Sequence, residues 1–269
     1  MSDRLVGSEM CIRDSFDSVV HAMTTIATGG FSSKSGSIGS YNNVNLEALT
    51  ILFMILASLP FVLYLKAIRG KPKDLIGDQQ VQGFFKILVI SILIVVFYLF
   101  LTSNFTFTEI LRYSLFNVTS ILTGPGFTST NYNDWGTPII LLFLFITFIG
   151  GCAGSTTCGV KIFRLQIVFN NSKEMISKLI SPNRVVNKRY NGEHLSPEIT
   201  QSVITFLFIF ILTFIVLSIL VSFTGLDLLT AFSAAATSIS NVGPGLGQVI
   251  GPAYSFSQIP EIAKWLLSF

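Results

Sequence analysis

Three short segments have the composition needed to hold a bare monovalent cation. They read Ala27-Thr28-Gly29-Gly30, Thr123-Gly124-Pro125-Gly126 and Ser240-Asn241-Val242-Gly243. An ion that sheds its water inside a membrane needs replacement oxygens. Backbone carbonyls from several re-entrant loops provide them without net charge. Aiming carbonyls at a shared axis takes an irregular backbone, and glycine permits the positive φ such a path uses. No carboxylate stands in any of the three bends, which argues against a divalent-cation site. Aligned on Gly30, Gly126 and Gly243, the segments repeat a hydroxyl six residues earlier (Thr24, Ser120, Thr237). They also repeat a branched aliphatic four residues earlier (Ile26, Leu122, Ile239). A separate glycine-rich stretch holds Gly150, Gly151, Gly154, Ser155 and Gly159 among Ala, Thr and Cys. It is a poor helix and is expected to unwind. It begins like a phosphate-binding loop, but Val160 follows Gly159 and Lys161 comes one place late. No strand precedes it, so the nucleotide reading fails.

The elements that must position these bends are membrane elements. The chain is 51% hydrophobic and 12% charged, with 25 Phe. A soluble domain carries about twice that share of charge, so an ordinary soluble enzyme, a disordered chain and a nucleic-acid binder are excluded. Apolar stretches long enough to cross a bilayer, which takes about 20 helical residues, run over 46–65, 84–101, 138–168 and 199–223, and a fifth begins at Ile262. The third is too long for one straight span and contains the Gly-rich break. Shorter apolar stretches at 16–27, 110–122 and 228–239 each end in a bend, the pattern of a helix that dips in and returns. Their C-terminal ends face the bends, where the helix dipole favours a cation. Lys66, Arg69, Lys71, Lys73 and Lys86 flank one connection, and Lys161, Arg164, Lys173, Lys178, Arg184, Lys188 and Arg189 another. The excess of Lys and Arg places both in the cytoplasm and turns the bends outward.

Other residues are less informative. His21 reads as a packed side chain of the first short helix, and His194 as solvated. Asp17 and Asp227 suit helix N-caps. Cys152 and Cys158 suit small gap-fillers, since a metal site would want more Cys or His nearby. Glu109 and Asn117 have no evident chemical role. Residues 1–15 are polar, lack the pattern of a signal peptide, and are read as unassigned and foreign to the fold. Ser155 with His21 as a membrane hydrolase lacks a nucleophile-elbow motif.

The strings TTIATGGFS, SILTGPGFT and SNVGPGLG resemble the filter motifs of the Trk/Ktr/HKT superfamily of potassium transporters. The stretch IGGCAGSTTCGVKIFR, residues 149–164, is similar to a signature of its third unit. The resemblance implies an all-α integral membrane protein of helix–pore helix–filter loop–helix units around a pore axis, about two and a half of four units here. It implies a second unit at 16–70, a cytoplasmic loop at 71–83 and a third unit at 84–170 with a gate loop at 150–159. A cytoplasmic loop at 171–197 and a fourth unit at 198–269 with a truncated trailing helix follow. By the same resemblance K+ is the transported ion, bound by the carbonyls of the twelve bend residues, with no other cofactor. Cys158 stands where the superfamily commonly has Gly. The implied setting is the bacterial inner membrane, with filters facing the periplasm, and the partners are lipid, a second pore subunit and a cytoplasmic nucleotide-binding regulatory subunit of the TrkA type. Channel-like flux and coupling to H+ or Na+ both stay open. So do a cation-coupled small-solute carrier and an inactive fragment of a longer chain.

Overall fold

The computed structural model describes residues 2–34, 36–181, 189–252 and 254–268. Among these the architecture is helical apart from one two-residue hairpin. In order come α1 (Ser2–Ile26), α2 (Val44–Ala57), α3 (Phe61–Ile68), α4 (Lys73–Gly77), α5 (Gln79–Thr102), α6 (Phe107–Thr123) and α7 (Thr137–Thr147). Then follow α8 (Ile162–Ile180), the hairpin β1 (Arg189–Tyr190) and β2 (Glu193–His194), α9 (Pro197–Ser222), α10 (Leu228–Ser240) and α11 (Glu261–Ser268).

Local chemistry explains most boundaries. Asn43 caps α2 by accepting from the Asn45 and Leu46 amides, and Asp78 caps α5 through Gln80 and Val81. Thr106 and Glu109 cap α6 reciprocally, which supplies the missing role for Glu109. Ser196 caps α9, with Pro197 in the first turn where its absent N–H costs nothing. Asp227 caps α10 as expected, 3.2 Å from the Thr230 amide.

Among the described residues two helices, α5 and α9, are long and apolar enough to cross a membrane. The stretch 46–65 does not make the single span expected. It is split into α2 and α3, bent by 93°. The break is at Ser58-Leu59-Pro60, because Pro60 lacks the N–H a continuous helix would need. The stretch 138–168 is broken as expected, into α7, a loop at 148–161 and α8. Two further departures concern α1 and Asp17. Helix α1 runs through most of residues 1–15 instead of starting at Phe16, and Asp17 is therefore mid-helix and not a cap. The connection expected over 71–83 contains α4 and the start of α5, and α8 continues past residue 170 to Ile180.

The largest core joins Phe84, Val95 and Leu99 of α5 to Ile110, Val118 and Leu122 of α6 and to Ile139 and Phe143 of α7. Tyr132 and Trp135 close it edge-to-face against Phe143. A smaller cluster of Ile38, Met54, Phe116 and Phe127 lies between α2 and α6. Phe208, Ile211, Leu212 and Ile215 of α9 are exposed, an apolar surface suited to lipid.

Candidate ion-binding site

The three bends share one backbone pattern. In each, the aligned glycine and the residue two places before it are left-handed: Thr28 and Gly30 (φ 52 and 69), Gly124 and Gly126 (98 and 67), Asn241 and Gly243 (52 and 102). In each, the short helix is closed by the carbonyl of the aligned hydroxyl residue. Thr24 O accepts from Gly29 N, Ser120 O from Gly124 N and Gly126 N, and Thr237 O from Val242 N. A β-branched residue such as Thr28 in this region carries strain, which persists only where surroundings fix it.

The bends also touch one another in chain order. Gly30 lies so close to Pro125 that a Cβ there would overlap the Pro125 carbonyl. A Cβ on Gly126 would overlap the Val242 carbonyl oxygen and the Pro244 ring. Glycine is therefore required at these two positions twice over, by φ and by space. Gly243 has the dihedral requirement alone, since nothing lies within 4 Å of its would-be Cβ. The segments after the bends are stitched in the same order. Gly39 N donates to Thr128 O (2.9 Å), and Asn133 Nδ2 donates to Gly247 O (2.8 Å) while its Oδ1 accepts from Gly247 N (3.3 Å).

Each short helix ties down the chain that leaves its own bend, and these ties were not foreseen. His21 bonds Asp17 O (2.7 Å) and the Ser32 hydroxyl (2.9 Å) through its two ring nitrogens. Asn117 donates to Ser129 Oγ (2.8 Å) and accepts from Ser129 N (3.2 Å). The Ser233 hydroxyl bonds both the amide and the carbonyl of Leu246 (3.0 and 3.2 Å). These side chains stand nine or ten residues before the aligned glycines, but they differ in type, so nothing in the sequence marked their partners. Asp17 adds a second tie, accepting from Ser33 Oγ (2.6 Å) and Tyr41 Oη (3.0 Å) with Lys34 Nζ at 3.5 Å. The Ser33 hydroxyl, then Tyr41 and Lys34, hold its carboxyl below the usual carboxylate range, against the opposing effect of burial.

Gly150, Gly151, Gly154, Ser155 and Gly159 all fall in the loop 148–161. The loop is folded back on itself, with Gly150 N on Val160 O (2.9 Å) and Val160 N on Phe148 O (2.8 Å). A Cβ on Gly150 would overlap the Cys158 carbonyl. The α2–α3 break and this loop satisfy each other. Cys152 N donates to Ser58 O (3.0 Å), Thr156 N to Ala57 O (3.4 Å) and Phe61 N to Gly154 O (3.0 Å). Irregular backbone at membrane depth survives only when so buried. The ammonium of Lys161 reaches back into the loop, onto the Thr157 carbonyl and to Thr157 Oγ1 (3.0 Å) and Ser155 O (3.3 Å).

The loop meets every bend at its first left-handed residue. The Thr28 hydroxyl is 3.0 Å from Thr156 O, and Thr156 Oγ1 donates to Ile26 O (2.9 Å). A Cβ on Gly124 would stand 4.0 Å from Cys158 N, and Asn241 Nδ2 is 3.5 Å from Cys158 Sγ. Ser155 and His21 are not brought together. Ser155 Oγ bonds Cys152 O and Thr157, and His21 Nε2 bonds Ser32, so a hydrolytic pair is not formed. Among the described residues no group of three or more His, Cys, Asp or Glu is placed to hold a metal ion.

A sequence model of the TrkH family, described as a cation transport protein, matches residues 6–269. This chain belongs to the TrkH family. The family is one of transporters and not of enzymes. The chain is 43% identical over 252 residues to the Trk system potassium uptake protein TrkI of Halomonas elongata, covering 93% of this chain and 51% of that protein. It is 33% identical over 258 residues to the Trk system potassium uptake protein TrkH of Vibrio parahaemolyticus, covering 94% and 52%. The crystal structure of the potassium transporter TrkH from Vibrio parahaemolyticus superposes with a TM-score of 0.87 at 33% identity, over 94% of this chain and 54% of that one. The chain thus spans about half the length of the curated relatives it matches.

Proposed function

We propose that this chain supplies three of the carbonyl-lined bends of a K+ uptake path, as part of a Trk-type transporter in the bacterial inner membrane. One observation carries the reading: three bends with the same left-handed pair stand side by side in chain order, with glycine forced where one meets the next. The carbonyls of 27–30, 123–126 and 240–243 replace the water of K+, and the short helices aim their negative ends at the same place. The hydroxyls of Ser120, Thr237 and Ser240, buried without a protein partner, add polar surface beside two of the bends. The loop 150–159 acts as the gate, because it packs beneath the first left-handed residue of all three bends and must move for an ion to pass. The basic connections face the cytoplasm and the bends the periplasm. A second pore subunit and a TrkA-type cytoplasmic subunit complete the assembly, in line with relatives named for a Trk system.

The test is selectivity. The full-length transporter, reconstituted in liposomes, should pass K+ and Rb+ better than Na+ and Li+. Replacing Gly30, Gly126 or Gly243 by Ser should weaken that preference. Unchanged selectivity in all three variants refutes the role given to the bends.

A further inference from the structure

The hairpin in the connection between α8 and α9 is docked on the membrane helices by polar side chains that the transport reading does not use. Its turn, Asn191–Gly192, is left-handed at both residues (φ 49 and 85). Asn191 Oδ1 accepts from the Gln79 amide (3.0 Å), and its Nδ2 donates to Asp78 Oδ2 (2.8 Å). The Tyr190 hydroxyl donates to Gln166 Oε1 (2.6 Å), and Gln166 Nε2 donates to Gln79 O (2.7 Å). The Tyr190 ring packs edge-on against Phe163, with centroids 4.9 Å apart. The hairpin therefore holds the N–H of the first residue of α5 directly, and its C=O through Gln166 of α8.

That grip leads to the loop. Asp78, held by Asn191 through one oxygen, caps α5 through the other, at 2.8 Å from Gln80 N and 3.3 Å from Val81 N. The next residue, Gln80, turns its Oε1 onto the amide of Ala153 in the loop 148–161 (2.8 Å). First-turn amides have no partner within their helix and depend on the cap. Where Asp78 and Gln79 sit fixes where Gln80 sits, and Gln80 holds the loop.

We propose that the hairpin is the clasp of the gate loop, with Asn191 and Gln80 as its positioning residues: docked, it holds the loop against the bends, and undocked, it lets the loop go. The inference rests on the gate reading given above. A partner bound to the α8–α9 connection can then act on the loop by displacing two side chains, without reaching it.

The test uses the full-length transporter in liposomes, with three readouts: the rate of Cys158 modification by a membrane-impermeant methanethiosulfonate, mapped by mass spectrometry; hydrogen exchange of a peptide covering 150–160; and Rb+ flux. Gln80→Leu and Asn191→Ala should each raise Cys158 labelling and loop exchange about fivefold, the shift in a local opening equilibrium that one hydrogen bond supports. Tyr190→Phe, which removes a single hydroxyl and keeps the ring, should move both the same way and decides the matter if Asn191→Ala does not reach the membrane. Gln80→Glu keeps the accepting oxygen and should behave as the parent. The clasp is overturned if Gln80→Leu frees the loop while Asn191→Ala and Tyr190→Phe leave it at the parent rate, or if Gln80→Glu frees it as Leu does. If the hairpin variants free the loop and Rb+ flux stays the same, the clasp stands and the gate reading falls.

Discussion

Gly126→Ala and Gly243→Ala test whether the bends are shaped by their neighbours or each by its own dihedrals. Both glycines are left-handed, so a methyl at either position incurs about 1–2 kcal/mol of backbone strain. At Gly243 that is the whole effect, because the space beside it is open to 4 Å. At Gly126 the methyl also runs into the Val242 carbonyl oxygen and the Pro244 ring of the third bend. Overpacking of this kind costs a further 1–3 kcal/mol or so, for a combined figure of about 2–5 kcal/mol. The overlap is with backbone on one side and a rigid ring on the other, so no flexible side chain can yield. Relief must come from moving the third bend away from the second. Liposome flux of Rb+ against Na+, read beside detergent thermal stability, should therefore rank the variants. Gly126→Ala should lose most of its selectivity. Gly243→Ala should keep a clear preference for Rb+ and lose no more than about 2 kcal/mol of stability. Gly243→Ala proving as damaging as Gly126→Ala, or both proving silent, refutes the contact between bends as the determinant.

Three further outcomes follow from the same geometry. Thr156→Val removes the hydroxyl that donates to Ile26 O, one of the bonds between the loop and the first bend. It should raise Rb+ flux without altering the Rb+/Na+ ratio, and a changed ratio with unchanged flux would count against the separation of gate from filter. Arg112 holds the buried Glu47 through two bonds of 2.7 and 2.8 Å, pinning α6 to α2. Arg112→Met should cost about 3–5 kcal/mol by leaving that carboxylate buried and unpaired, and adding Glu47→Leu should restore most of the loss. Both are read by thermal unfolding in detergent. Asp17 has a folded pKa below its unfolded value of about 3.9. Its contribution is therefore fully present above that value and is lost as pH falls through the folded one. The deficit in melting temperature of Asp17→Asn should stay constant from about pH 8 to 5 and shrink below about pH 4.

The bends were legible because glycine at a forced dihedral leaves the same mark in each copy. The aligned hydroxyls Thr24, Ser120 and Thr237 marked the closing carbonyl of each short helix, although their role is carried by the main chain. The Asp227 cap was legible because capping is local. What stayed hidden depends on partners far along the chain. Asp17 looks like a cap by type, yet its partners are Ser33 and Tyr41 beyond the bend. Asn117 in an apolar helix gives no sign that Ser129 lies opposite. The 93° break at Pro60 was hidden for another reason. An apolar run of that length reads as one span, and only the loop 148–161, arriving to take up the backbone groups of Ala57, Ser58 and Phe61, makes the sharp turn affordable.

The two left-handed residues of each bend divide its work. The aligned glycine faces the neighbouring bend, as Gly30 meets Pro125 and Gly126 meets Val242. The residue two before it faces the loop, as Thr28 meets Thr156, and Asn241 and Gly124 meet Cys158. Lateral packing asks for the least bulk at Gly30 and Gly126, while at Gly243 the dihedral alone asks for glycine. The loop-facing position asks for something to hold, and two of its three residues are polar side chains that accept an unfavourable dihedral to reach the loop. On the gate reading proposed above, a loop that leaves breaks the Thr28–Thr156 contact, one of those made by the strained residue. Replacing Thr28 with Gly separates the strain from the contact. It keeps the dihedral at no cost and deletes the hydroxyl 3.0 Å from Thr156 O. The variant should retain selectivity and conduct more readily. Lost selectivity there would mean that the threonine side chain, and not the bend it strains, shapes the ion path.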